Sequence, residues 1–162
     1  LEPKYPTNAS YAGQTIDDIF SEQQMEGAVV HEMRMLESVL LRNSGDGSFA
    51  VEPLPGEAQT SPVYGMLIRD LDTDGVKDVL LGGNLHKVKP SIGRYDASYG
   101  TFLRGTGDGP LQVVEARDSG LALTGEIRDF VWLGSSAEPP RILAIRNDDT
   151  MQVLELLNNE PD

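Results

Sequence analysis

The sequence predicts an all-β chain, and three observations carry that expectation. Its 162 residues include 17 glycines and 10 prolines, which break the chain into many short segments. The apolar runs between these breaks are many and short, such as Met66-Leu67-Ile68 and Val79-Leu80-Leu81, and partly β-branched, so they read as strands. A hairpin signal also recurs. Asn43-Ser44-Gly45-Asp46-Gly47-Ser48-Phe49 returns as Gly105-Thr106-Gly107-Asp108-Gly109-Pro110-Leu111, and in worn form as Asn147-Asp148-Asp149-Thr150-Met151. The Asp-Gly pair supplies the positive φ that a tight hairpin requires.

Strands are expected in order at Ala28–Met35, Ser38–Arg42, Ser48–Glu52, Val63–Arg69, Asp78–Leu81, Tyr99–Arg104, Leu111–Glu115, Glu126–Leu133, Arg141–Arg146 and Met151–Leu156. Thr15–Phe20 alone reads as a helical turn, with Ile16, Ile19 and Phe20 on one side. The first strand is the ambiguous one. Met25, Val29, Met33 and Leu36 fit a helical period, while Val29, His31, Met33 and Met35 alternate. Strand is preferred because the segment runs on into Val39-Leu40-Leu41 and a hairpin turn. Residues 1–25 are expected to be an N-terminal arm or linker, 26–156 the sheet-forming part, and 157–162 a C-terminal tail.

A longer repeat overlies these elements. Gly65-Met66-Leu67-Ile68-Arg69-Asp70 is echoed by Gly125-Glu126-Ile127-Arg128-Asp129. A repeat of roughly 40–60 residues made of strands suggests propeller blades, here about 2.5–3 four-stranded antiparallel sheets and thus a partial propeller. Trp132, in the second copy, is expected to pack in the core; an exposed aromatic for sugar stacking is the alternative.

Asp70-Leu71-Asp72-Thr73-Asp74-Gly75-Val76-Lys77-Asp78 carries the most chemistry. A hard divalent cation such as Ca2+ needs six or more oxygen ligands at about 2.4 Å. Carboxylates at loop positions 1, 3 and 5 converge only if the backbone curls, and Gly75 permits the turn. Val76 at position 7 would offer its carbonyl, and Asp78 at position 9 would complete the cage. Position 12 is Leu81 rather than the bidentate Glu of an EF-hand, and the flanks read as strands, so a calcium sensor of that class is excluded. The other reading is a solvated acidic turn. Only one site is expected, because Phe130-Val131-Trp132 replaces the carboxylates in the second copy.

The long irregular stretch after Leu81 gathers His86, Lys87, Lys89, Arg94 and Tyr95. Long loops on a rigid sheet often carry function, so these five are candidate ligand-binding residues; the alternative is a loop that covers a sheet edge. The formal net charge of −13 argues against a nucleic-acid partner, which needs basic patches. It suits a cation-binding, secreted, periplasmic or cell-surface protein. No apolar run is long enough to span a bilayer. The absence of cysteine excludes disulfides and thiolate metal sites. The chain begins at Leu1, so a piece of a longer or processed protein is expected.

With the 70–78 loop, the 43–49 hairpin and their order along residues 26–156, the chain resembles the FG-GAP/VCBS repeat proteins, whose calcium-binding β-propeller is also found in the integrin α-subunit head. The stretch from Gly82-Gly83-Asn84 to Tyr99-Gly100 is similar to the final part of bacterial exported members. The resemblance implies Asp70, Asp72, Asp74 and Asp78 as side-chain ligands and Val76 as a carbonyl ligand. It also implies a structural Ca2+, a propeller of about seven blades, and a binding or scaffold role toward protein or glycan ligands. This chain has strands for fewer blades, so it is expected to be the C-terminal part of a longer propeller, or to self-associate or pack on missing blades. Its terminal faces are expected to carry Val39 and Leu41 at one end, and Ile142, Ala144, Met151 and Val153 at the other.

The competing function is an accessory or catalytic part of a propeller-type polysaccharide lyase or hydrolase. No catalytic constellation is identifiable. Carboxylates are too numerous to single out an acid/base pair. Asp96-Ala97-Ser98-Tyr99-Gly100 lacks the first glycine of a nucleophile elbow, and the only histidines are His31 and His86.

Overall fold

The computed structural model describes residues 4–134 and 139–157. The all-β expectation holds, with 34% strand against 13% helix. The chain divides into two compact units, Leu1–Leu36 and Glu37–Asp162. Part of the expected tail, 158–162, lies outside the described residues.

The first unit contains three four-residue helices, α1 (Asn8–Tyr11), α2 (Ile16–Ile19) and α3 (Glu22–Met25). Each is started by a side chain that satisfies amides left unpaired at a helix N-terminus. The Ser10 amide donates to Thr7 Oγ1 at 3.1 Å, and the Thr7 amide donates back to Ser10 Oγ at 3.2 Å. The Thr15 amide donates to Asp18 Oδ2 at 2.8 Å, and the Ser21 amide to Gln24 Oε1 at 3.0 Å. The expected strand at Ala28–Met35 is absent; these residues form neither strand nor helix. Alternation describes a two-faced segment, but a strand also needs a partner for its backbone groups. Among the described residues this segment has no ladder partner.

The second unit is three open antiparallel sheets, each built from consecutive strands. The first pairs β1 (Val39–Asn43) with β2 (Phe49–Pro53). The second runs β3 (Val63–Arg69), β4 (Asp78–Gly83), β5 (Thr101–Arg104), β6 (Gln112–Val114). The third runs β7 (Glu126–Leu133), β8 (Arg141–Asn147), β9 (Gln152–Glu155). Among the described residues the sheets thus have two, four and three strands, so one of the three is four-stranded. The first hairpin closes as expected, with Gly45 and Gly47 at φ 84° and 88°. A 3₁₀ turn at Gly56–Gln59 and a helical turn α4 (Ala116–Ser119) lie between strands.

Register decides which side chains meet. Leu67, Leu80 and Phe102 point to one face of the second sheet, and Met66, Ile68, Val79, Leu81 and Leu103 to the other. The first face packs on the third sheet, with Leu80, Leu123, Ile127, Phe130, Ile142 and Ala144 buried between them. Leu54, Ala58 and Leu111 cover part of the second face, over Val79, Leu81 and Leu103. All six residues of β4 are therefore buried. Ile142 and Ala144 were expected on a terminal face but are 1% and 0% exposed. They pair with Trp132 and Phe130 on the inner face, whereas Val131, Leu143 and Val153 share the outer one. Of the four residues expected there, only Met151 and Val153 are exposed.

The two packed sheets approach closely because glycine lines the contact. A Cβ on Gly82 would lie 2.7 Å from Ile127 Cγ2 and 2.8 Å from Phe130 Cζ. One on Gly65 would lie 3.2 Å from the Asp129 nitrogen. Two cation–π contacts tie the same pair of strands: Arg69 of β3 lies 4.2 Å from the Trp132 ring centroid, and Arg128 of β7 lies 4.3 Å from that of Tyr64. Trp132 is therefore half-buried beneath a guanidinium. Gly82→Ala is expected to destabilise the fold by about 1–3 kcal/mol through overpacking; equilibrium urea denaturation checks this.

Candidate metal centre

The loop between β3 and β4 is built by its own carboxylates, which bond backbone amides and so curl the chain. Asp70 Oδ2 accepts from the Gly75 amide at 3.0 Å, Asp72 Oδ1 from the Asp74 amide at 3.3 Å, and Asp74 Oδ1 from the Val76 amide at 2.7 Å. Gly75 turns the chain at φ 89°. Thr73 also has positive φ, 64°, which costs a β-branched residue on the order of 1–3 kcal/mol.

Asp78 closes the loop. It is 0% exposed, with Oδ2 accepting from the Leu71 amide at 2.8 Å and Oδ1 from the Gly105 amide at 2.9 Å. It thus joins the loop's start, β4 and the end of β5. Gly105 must be small, since a Cβ there would lie 2.2 Å from the Lys77 carbonyl oxygen.

Ligand atoms of Asp70, Asp72 and Asp78 lie within 4.8 Å of one another and could hold a metal ion. The donor set is all oxygen, which suits a hard cation. Asp70 Oδ1 is buried and has no hydrogen-bond partner. An orphaned acceptor costs about 1–3 kcal/mol, more when charged, and a cation would relieve it. The residues present therefore fit such an ion. Asp74 and Val76 belong to the same loop but not to this triad, and the Asp74 carboxylate is turned onto the Val76 amide. Beside the loop opens a cleft of about 1020 Å³. Its floor includes Leu80, Phe102, Ile142 and Leu154, and its rim includes Asp72, Asp74 and Arg104.

The five residues of the long loop take separate roles. Lys87 Nζ ion-pairs with Asp148 Oδ2 at 2.8 Å, which raises the Lys87 pKa above its ordinary value. Leu85 and Tyr95 exchange backbone hydrogen bonds of 2.8 and 2.9 Å, closing the loop. The His86 amide donates to Glu126 Oε1 at 2.8 Å, and Lys89 and Arg94 are exposed. Among the described residues, none of the five hydrogen-bonds or ion-pairs with another of the five.

The loop is positioned by two residues that sequence reasoning missed. Asn84, 3% exposed, spends its whole amide: Oδ1 accepts from Ser61 Oγ at 2.8 Å and the Ser98 amide at 3.2 Å, and Nδ2 donates to the carbonyls of Ser98 at 2.8 Å and Gly125 at 3.1 Å. Its φ is 77°, in the left-handed region that Asn tolerates better than most residues. Glu126, also 3% exposed, accepts from the His86 amide, from Asn147 Nδ2 at 2.8 Å and from Arg128 at 2.9 Å. The His86 amide chiefly, with Asn147 and Arg128, holds its carboxyl at about 2.

No family model, no curated protein and no solved structure matches this chain. Among the described residues, no helix is long and apolar enough to cross a membrane.

Because the folded value for Glu126 is depressed, its contribution to stability is complete above the unfolded value near 4.5 and is lost as pH falls toward 2. Melting temperature should fall across that window, with at most about 3 kcal/mol at stake. Glu126→Gln should melt lower at pH 7 and flatten that part of the profile, as thermal melts from pH 2 to 7 would show.

Proposed function

We propose that this protein is a calcium-stabilised segment of a β-propeller, serving as an extracellular or envelope module that binds or scaffolds protein or glycan ligands. The buried, unpartnered Asp70 Oδ1 beside two convergent carboxylates is the observation that carries the calcium part. Asp70, Asp72 and Asp78 would hold the ion, joined by Asp74 and the Val76 carbonyl as the FG-GAP/VCBS resemblance implies. Bound calcium would supply charge neutralisation and a rigid turn between two strands of the central sheet. The propeller part is supported by sheets of consecutive antiparallel strands, the second and third packed face to face, and by the repeated Gly-to-Asp element, which runs through the end of β3 and the start of β7.

A structural role follows from where the ligands sit. Asp78 is wholly buried and bonded to two backbone amides. Three loop carboxylates, Asp70, Asp72 and Asp74, already accept from amides of the same loop. Such an arrangement stiffens a scaffold and leaves recognition to the surrounding loops.

Extracellular modules bind calcium at about 0.1–1 mM. At tenfold excess over the dissociation constant, linkage contributes about 1.4 kcal/mol, roughly 3–6 °C for a domain of this size. The test is differential scanning calorimetry in calcium and in chelator. Wild type should show the shift. Asp70→Asn should lose it yet melt in chelator at least as high as wild type, since it removes the orphaned charge. Asp78→Ala should be destabilised in both by about 2–4 kcal/mol, having lost two buried amide partners. A wild-type melt indifferent to chelator would sink the calcium reading.

A further inference from the structure

We propose that Arg104 is a built-in competitor of the cation, holding Asp72 against it and keeping the site's affinity weak; this rests on the calcium reading above. Arg104 Nε lies 2.6 Å from Asp72 Oδ2, a close ion pair. The residue is delivered by the fold: it ends β5, and the amide of the next residue, Gly105, is the one bonded to Asp78 Oδ1. The end of β5 therefore touches two of the three candidate ligands, one through a side chain and one through the backbone.

A divalent ion and a guanidinium on one carboxylate would stand about 5 Å apart. Even in a water-like dielectric, that repulsion corresponds to roughly a tenfold loss of cation affinity. Asp72 does not need the guanidinium for its orientation, because Oδ1 also accepts from the Asp74 amide. Arg104 has somewhere to go. Its side chain is 46% exposed and lines the cleft, against 24% for Asp72. Cation binding would release the guanidinium into that cleft, so loading of the loop changes the charge of the cleft wall.

Calcium titration calorimetry on the whole chain, with folding confirmed by circular dichroism, separates the outcomes. Arg104→Gln and Arg104→Met remove the charge, and the second keeps most of the aliphatic stem should the first fold poorly. Both should bind calcium about tenfold more tightly than wild type, while Arg104→Lys should stay within about threefold of it. If wild type binds and the two neutral variants bind equally or more weakly, the competitor role is overturned and Arg104 is a positioning residue for Asp72. If neither wild type nor the neutral variants bind, the calcium reading itself fails, and the proposal with it.

Discussion

The two oxygens of Asp78 are the constraint on which the second unit's geometry turns. A carboxylate that is 0% exposed must find donors, and it finds the amides of Leu71 and Gly105. The first bond folds the 70–78 loop back on β4. The second brings the end of β5 against that loop, so tightly that position 105 has no room for a side chain. Arg104 then falls beside Asp72 as a matter of register. The candidate ligands are thus gathered by hydrogen bonds that exist for the fold's own reasons, which is the preorganisation a cation site needs.

The contact between the second and third sheets follows a different logic. Apolar burial holds it, but glycine sets its spacing: Gly65 and Gly82 let the backbones of β3 and β4 come close to β7. Polar groups then fix how the sheets align. Asn84 and Glu126 bond segments about forty residues apart with every acceptor occupied. Such networks are costly when half-satisfied and specific when complete.

Legibility in the sequence tracked how local each cause was. β3 and β7 were placed to the residue, because breaks in the local text bound them: Pro62 and the Asp70 loop flank β3, and Gly125 and Gly134 flank β7. The hairpins were readable for the same reason. The 28–35 strand failed because pairing is a property of two segments, and alternation reports only one. Helices α1 and α3 were missed although Thr7/Ser10 and Ser21/Gln24 stand at capping-box spacing; four-residue helices carry no apolar period to support the cap. At the candidate site, the motif located Asp70, Asp72 and Asp78. It could not show that Asp74 turns to its own loop amide, or that a residue 32 positions after Asp72 would pair with it. Asn84 and Glu126 were invisible for the same reason: a buried polar residue reads as a surface one until its distant partners are known.

Every ladder in the second unit joins strands that are neighbours in sequence. Ordering such a sheet closes mostly short loops, the β4–β5 connection over 84–100 being the long one, and no closure has to wait for a strand distant in sequence. The β3–β4 turn, held by Leu71 and Asp78, can therefore form from a stretch of some twenty residues, ahead of any contact with the third sheet. During synthesis the four-stranded sheet can take its register before β7 has left the ribosome. The glycine-lined face then serves as a template on which the last three strands assemble, so the kinetic order of folding is written into the order of the strands.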